Sequence, residues 1–437
     1  GEDFKLSADA DITGQSVSVP AGKSVVLDLN GYTLTADNSA TGKIIVLGKM
    51  TLKDSSTEKK GKIVASQDYT AASYNGSLIE IAGEDASMTM ESGNISAVRE
   101  TPDSNGQYGV GVTDGGDFTM TGGKIEAGWF AVAGNGNYKT QNSIINITDG
   151  ELISTADYAV YLPQSGTTTI SGGKVYGAAG GVCIQRGTLN VEGTALITSK
   201  GTGSTGNWGD GTGGLDCAAI NVSGAYGIAT VNIKGGTLIA EAKSLITEGT
   251  TYTPVINVTG GTFSDPSVLK YMATNATVDI KLLSNINIAK TELATGYILN
   301  AANATANLNL NGHDIINSSE TADATPFTQI FTVQNGTLNI SGNGNVKCDA
   351  SATAKDDGYR MVIEARGYGT VNIHGGSYYN TQKLNTQIDL IYARENGKIN
   401  IYGGTFESGK YGTPNNDTDG RYWVLNLKNT DKNTASI

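Results

Sequence analysis

With only His313 and His374 to supply imidazoles among 437 residues, any acid–base chemistry in this chain would fall to carboxylates and arginines. His313 follows the Asn311-Gly312 turn and His374 precedes Gly375-Gly376, which places both at wet turns. Trp208 and Asp210 are the leading candidates for ligand contact. They sit in a Gly-rich stretch from Thr198 to Asp216, and a tryptophan on a polar loop offers an aromatic face of the kind that stacks on sugar rings. The other reading is that Trp208 folds back over the wall of the fold. In a second loop, Arg99 to Tyr108, the residues Arg99, Glu100 and Asp103 read as a solvated charge group. A third loop, Asn415-Asn416-Asp417-Thr418-Asp419-Gly420, matches the start of an EF-hand loop, but its twelfth position is Asn426 instead of a bidentate acid. No cofactor is therefore expected, and Asp417 and Asp419 are the only calcium candidates. Trp129-Phe130 and Trp423 fall in strand-like segments and read as packing residues.

The elements that must position these loops are short strands. Ten times the chain repeats apolar, Asn or Thr, apolar, any residue, then a small or Gly turn, beginning at Met88, Phe118, Ile145, Thr168, Leu189, Val231, Ile256, Leu338, Val371 and Ile399. Most spacings lie between 21 and 33 residues, the signature of a solenoid. Alternation of apolar and polar residues within each copy predicts a strand with one buried and one wet face. Six copies carry Gly-Gly, as at Gly122-Gly123 and Gly235-Gly236, where the chain must bend through positive φ and end the strand. A second strand precedes most copies, as in Leu78-Ile79-Glu80-Ile81 and Tyr158-Ala159-Val160-Tyr161, and a third short piece follows the turn. Three short strands in a repeat of roughly 25 residues describe one rung of a parallel β-helix, so an all-β solenoid is expected.

The outward position of the motif strand is Asn146, Asn190, Asn232, Asn257, Asn339, Asn372 and Asn400, or Thr89, Thr119 and Thr169. Amides or hydroxyls stacked one rung apart can hydrogen-bond along the column, which favours a structural ladder over a ligand surface. Acidic residues do not recur at this position, as a catalytic groove of paired carboxylates would require.

Leu27-Asp28-Leu29-Asn30-Gly31 is echoed by Leu308-Asn309-Leu310-Asn311-Gly312, so the second half restarts the first. The expected division is a first β-helical unit over 1–264, a short helical linker or cap over 265–275, and a second unit over 276–437. Asp265 can cap that helix with Pro266 at its first position. Tyr422–Leu427 and Thr434–Ile437 read as the opening of a further rung, so the chain is expected to belong to a longer polypeptide or to be covered at that end by a partner.

Composition agrees: there are 59 Gly and only 7 Pro, suited to tight turns and unbroken ladders. Thirty basic against 42 acidic residues give a net charge of −12, which disfavours nucleic acid as a partner and suits an exterior surface. Cys183, Cys217 and Cys348 lack metal spacing, and Cys183 reads as a small core residue. No apolar stretch is long enough to span a bilayer as a helix.

In Leu27–Gly31, in Ile256-Asn257-Val258-Thr259-Gly260-Gly261-Thr262-Phe263 and in the exit Ser264-Asp265-Pro266-Ser267, the chain resembles the pectate-lyase-like right-handed parallel β-helix superfamily. Within it, the chain looks most like repetitive surface and fibre proteins of gut bacteria and their phages. The resemblance covers nearly the whole chain and implies architecture more than activity, since the fold hosts lyases, hydrolases, tailspikes and adhesins. It implies a non-enzymatic extracellular stalk or adhesin of a bacterial surface or phage particle, with glycans or other surface proteins as partners. The alternative is a polysaccharide lyase or glycoside hydrolase of the same superfamily. A third class is a self-assembling fibre subunit, expected as a trimer.

Overall fold

The computed structural model describes residues 2–37, 43–66, 76–98, 108–135, 141–205, 212–248, 251–288, 296–317, 329–348, 361–380, 388–408, 422–428 and 432–437. It is all-β apart from short turns of helix, and its strands form long parallel sheets in a solenoid-like arrangement. The chain divides into two compact units, Gly1–Ile256 and Asn257–Ile437. None of the helices among the described residues is long and apolar enough to cross a membrane.

In the first unit the repeat copies stack in register. Met50, Met88, Phe118, Ile145, Thr168, Leu189 and Val231 occupy one row of a parallel sheet, each beside the equivalent residue of the next rung. These residues are buried, Thr168 among them, because alternation sends every second side chain inward. Nine further parallel strands, from Val17–Val19 to Lys243–Thr247, form a second sheet. In it Tyr158–Leu162, Gly180–Ile184 and Ala218–Val222 are buried throughout, which explains their unbroken apolar runs.

The second unit repeats the scheme. Val278, Ala306, Leu338, Val371, Ile399 and Ala435 form its motif row, and five strands from Ile286–Asn287 to Thr405–Ser408 form a separate parallel sheet. A 3-10 helix spans Pro266–Tyr271, with the Asp265 carboxylate accepting from the Ser267 amide.

Two local differences from the sequence reading have physical causes. The Gly-Gly corner bends the strand without always ending it: Asp117–Ala127 runs through Gly122-Gly123 with a register shift at the corner. The second glycine, Gly123, takes φ 86°, while a Cβ on Gly122 would lie 2.6 Å from the Glu91 carbonyl of the rung beside it. In the second unit the preceding strand and the motif strand merge into single strands, Tyr297–Asn309, Gln329–Ser341 and Met361–Ile373.

The echoed Leu-Asp/Asn-Leu-Asn-Gly segments are equivalent corners. Asn30 and Gly31 adopt φ 48° and 86°, and Asn311 and Gly312 adopt 52° and 83°. The Asn30 side-chain amide donates to the Leu6 carbonyl at 3.0 Å, and the Asn311 amide donates to the Leu282 carbonyl at 2.8 Å. Each asparagine thus combines a left-handed backbone with a tie to the neighbouring rung. Beside the first corner, the buried Asp54 carboxylate accepts from the amides of Gly31 at 2.8 Å, Ser56 at 3.0 Å and Gly61 at 2.6 Å. Burial alone would push this carboxyl up, but hydrogen bonding by Ser56 and by the Gly61 and Gly31 amides outweighs it and holds it below the ordinary aspartate value.

Because the folded state favours the charged form of Asp54, its contribution is full at neutral pH and is lost as pH falls through its lowered pKa. Asp54→Ala, which strands three amides, is expected to cost about 2–4 kcal/mol in urea unfolding at neutral pH and less in acid. An equal cost at both pH values would show that the carboxylate charge contributes nothing.

Candidate functional site

The asparagine stripe bonds to itself over much of its length, though among the described residues Thr89, Thr119 and Asn146 take no part. In the second unit the Asn307 amide donates to the Asp279 carboxylate at 2.9 Å, Asn339 to Asn307 at 2.8 Å, Asn372 to Asn339 at 2.7 Å and Asn400 to Asn372 at 2.8 Å, and the Ser436 hydroxyl donates to Asn400 at 2.7 Å. Every amide points its N–H groups the same way, so the chain of dipoles ends with its positive side on the negative Asp279. In the first unit Asn232 donates to Asn190 at 3.0 Å and Asn190 to Thr169 at 3.4 Å. Groups that serve one another along the column are poorly disposed to serve a ligand.

The buried acids are likewise committed. Glu364 lies between arginines, with Arg394 Nε at 2.6 Å and Arg366 Nε at 4.0 Å, and it accepts from Gln329 at 3.2 Å. Asp389, 1% exposed, accepts from the Asn426 amide at 3.1 and 3.2 Å. Burial pushes the Asp389 carboxyl up to about 6, against the opposing effect of Asn426. Among the described residues no group of three or more His, Cys, Asp or Glu is arranged to hold a metal ion. Cys183, Cys217 and Cys348 are buried and form no disulfide.

The loop residues singled out from sequence, Trp208, Asp210, Arg99, Glu100, Asp103, Asp417 and Asp419, lie outside the described residues. The base of the Trp208 loop is described: Ser204 and Asp216 form an antiparallel bridge, and the Thr212 hydroxyl donates to buried Asp157 at 3.0 Å. The Tyr158 hydroxyl donates to the Asp216 carbonyl at 2.5 Å. Trp129 and Phe130 are buried in an aromatic cluster with Tyr158 and Tyr161, as packing residues. Trp423 sits in the strand Tyr422–Leu427, beside Asp389 in register.

An open groove on the first unit was not foreseen. It has a volume of about 420 Å³ and is lined by Ser165, Arg186, Gly187, Tyr226, Gly227, Ile228 and Tyr252. Its origin is a step in connection length. Between the strands Gly180–Ile184 and Gly187–Val191 only Gln185 and Arg186 intervene. The next rung spans the same gap with residues 223–228, and the following one with residues 248–254. The short connection is a recess, and the longer ones overhang it with Tyr226 and Tyr252.

Arg186 is held in place at the floor. Its Nε donates to the Ser165 hydroxyl at 2.8 Å and Nη1 donates to the Tyr226 carbonyl at 3.2 Å, while the Tyr226 amide returns a bond to the Gln185 carbonyl at 3.2 Å. Gly227 lets the loop lie on the arginine stem, since a Cβ there would meet Arg186 Cδ at 2.9 Å. Beneath Tyr226, the buried Tyr161 has its ionisation pushed well up by burial, then by Cys183 and the Tyr226 phenol. Tyr226, Ile228 and Tyr252 are 37%, 60% and 47% exposed. A small recess that shares Ser165 and Arg186 with the groove is also lined by Ser143, Gln164, Thr167 and Thr188. The sequence signal was available in the Ser223–Ile228 segment, which places Tyr226 and Ile228 among glycines, but nothing local shows that Arg186 stacks beside them.

Compared with known proteins, the chain matches no family model, no curated protein and no solved structure.

Because the Asp389 pKa is raised in the fold, its charging destabilises the protein as pH rises from about 4 to about 6, and fully above that. Asp389→Asn is expected to remove this component and to gain roughly 2–3 kcal/mol at pH 7.5, with no gain at pH 4, read by chemical denaturation across that range. A uniform loss at both pH values would contradict it.

Proposed function

We propose that this chain is a right-handed parallel β-helix acting as a non-enzymatic, extracellular recognition module, a stalk or fibre segment of a bacterial surface or phage particle that binds glycans through its side loops. The observation that carries the reading is the Arg186 groove, in which two exposed tyrosines and an exposed isoleucine sit on connections between strands of the parallel sheets, beside a fixed cation. Amphipathic aromatic faces with a few fixed polar groups are what sugar rings require. The right-handed sense is favoured because connections between parallel strands of one sheet are right-handed in nearly all proteins. A stalk role is favoured by in-register ladders, which resist bending while leaving the connections free to vary.

A non-catalytic reading is favoured by the use made of the acids. Asp54, Glu364 and Asp389 are buried and serve backbone amides, arginines and an asparagine amide. The described groove lining contains a base-incompetent arginine and tyrosines, with no carboxylate pair to drive glycoside hydrolysis. A net charge of −12 suits a solvated exterior surface.

The test is a depolymerisation assay on acidic and neutral polysaccharides, with and without calcium, run beside glycan-array binding with the same sample. Binding without release of new chain ends is expected. Cleavage of any polymer would replace the reading with a lyase or hydrolase, and the absence of both binding and cleavage would leave a purely architectural protein.

A further inference from the structure

We infer that the Arg186 groove takes a sugar carrying both a carboxylate and an N-acyl group, with the carboxylate on Arg186, the ring against Tyr226 and Tyr252, and the acyl methyl on Ile228. The inference rests on the glycan-binding reading above and specifies its ligand.

The carboxylate follows from the state of the arginine. Nε and one Nη1 hydrogen are used by Ser165 and by the Tyr226 carbonyl, so the guanidinium is oriented from two sides. Its Nη1 and Nη2 ends retain hydrogens, and a planar fork of that kind matches a carboxylate in bidentate fashion. No acidic residue appears among the described residues lining the groove. Among the described residues no carboxylate pairs with Arg186, which lies as a positive charge in a groove on a chain with a net charge of −12. Such a local field favours an anion over a neutral sugar.

The ring and the acyl group follow from the walls. Tyr226 is tied by its own backbone to Gln185 and Arg186, so its side chain is presented from a fixed point. Tyr252 is tied through its amide to the Gly224 carbonyl at 3.2 Å, which links the two overhanging connections. Ile228 is 60% exposed although its carbonyl accepts from Gly187 in the sheet at 3.2 Å. An aliphatic side chain held rigidly at that exposure beside a cation suits a methyl group that travels with a charge. Thr167 and Thr188, which line the small recess that also contains Arg186, supply hydroxyls for the remaining ring substituents.

The deciding experiment is calorimetric titration of the intact chain with sialyllactose, lactose, sialyllactose reduced to the alcohol at its carboxyl, an oligogalacturonate and a sulfated N-acetylhexosamine. Sialyllactose is expected to bind best, with the reduced analogue and lactose weaker by about tenfold or more. Arg186→Gln should lose a similar factor, and Arg186→Lys should recover part of it through charge without the fork. Because Arg186 also braces the Tyr226 loop, Tyr252→Ala provides a second variant outside the sheet, expected to weaken sialyllactose several-fold with unchanged thermal unfolding. Equal binding of lactose and sialyllactose, preference for the galacturonate or the sulfated sugar, or full affinity in both Arg186→Gln and Tyr252→Ala would overturn the inference while leaving glycan recognition standing. Failure of every glycan on the array to bind would overturn both.

Discussion

Everything described here depends on one constraint, the parallel pairing of each rung with its neighbours in fixed register. A one-residue slip would turn every inward side chain outward, so the burial of Met88, Phe118, Ile145, Leu189 and Val231 locks the register, and the register in turn stacks like on like. The Asn339–Asn372–Asn400 ladder is a consequence, since equivalent amides arrive at hydrogen-bonding distance without any further adjustment. So is the need for glycine at corners, where the carbonyl of one rung lies too close to leave room for a Cβ in the next, as the Glu91 carbonyl lies 2.6 Å from a Cβ built on Gly122.

The same constraint separates scaffold from site. Strands cannot change length or direction without breaking the ladder, whereas connections can, and the groove exists because one connection is short and the next two are long. Arg186 occupies the short one and is braced by Ser165 from the rung before and Tyr226 from the rung after. With Tyr252 from the rung beyond, four successive rungs line one groove. Acidic groups follow the opposite logic: Asp54 is stabilised in its charged form by converging amides, whereas Asp389 is buried with a single amide partner and its charging is disfavoured. The two carboxylates therefore pull stability in opposite directions at different pH.

Much of the fold was legible because the solenoid writes its packing into local alternation. Nine of the ten motif copies, all but that at Ile256, fall on rows that pair residue for residue, and the ladder forms at Asn190–Asn232 and at Asn307–Asn339–Asn372–Asn400. The two Leu-Asp/Asn-Leu-Asn-Gly corners share left-handed asparagines and the same tie to the adjacent rung. Cys183 was readable as core because its strand, Gly180–Ile184, is buried throughout, whereas Trp129 is buried in the bend between Asp117–Ala127 and Val132–Ala133 instead of in a strand. The strand joins were less readable, since Gln329–Ser341 and Met361–Ile373 run unbroken where the sequence suggested two short pieces.

The site was not legible, and the reason is stacking at a distance. Ser165, Arg186 and Tyr226 are separated in sequence by a full rung or more, and nothing in the alternation that marks strands says which connections lie side by side. A lone arginine between two strands looks like an ordinary surface residue until the neighbouring rungs enclose it. By itself the sequence determined the repeat, the inward face, the corners and the asparagine ladder, because these rest on interactions between a residue and its own counterparts in adjacent copies. Only the tertiary structure decided where a groove opens and which charge lies in it, because that depends on the difference in length between connections that meet only after the rungs have stacked.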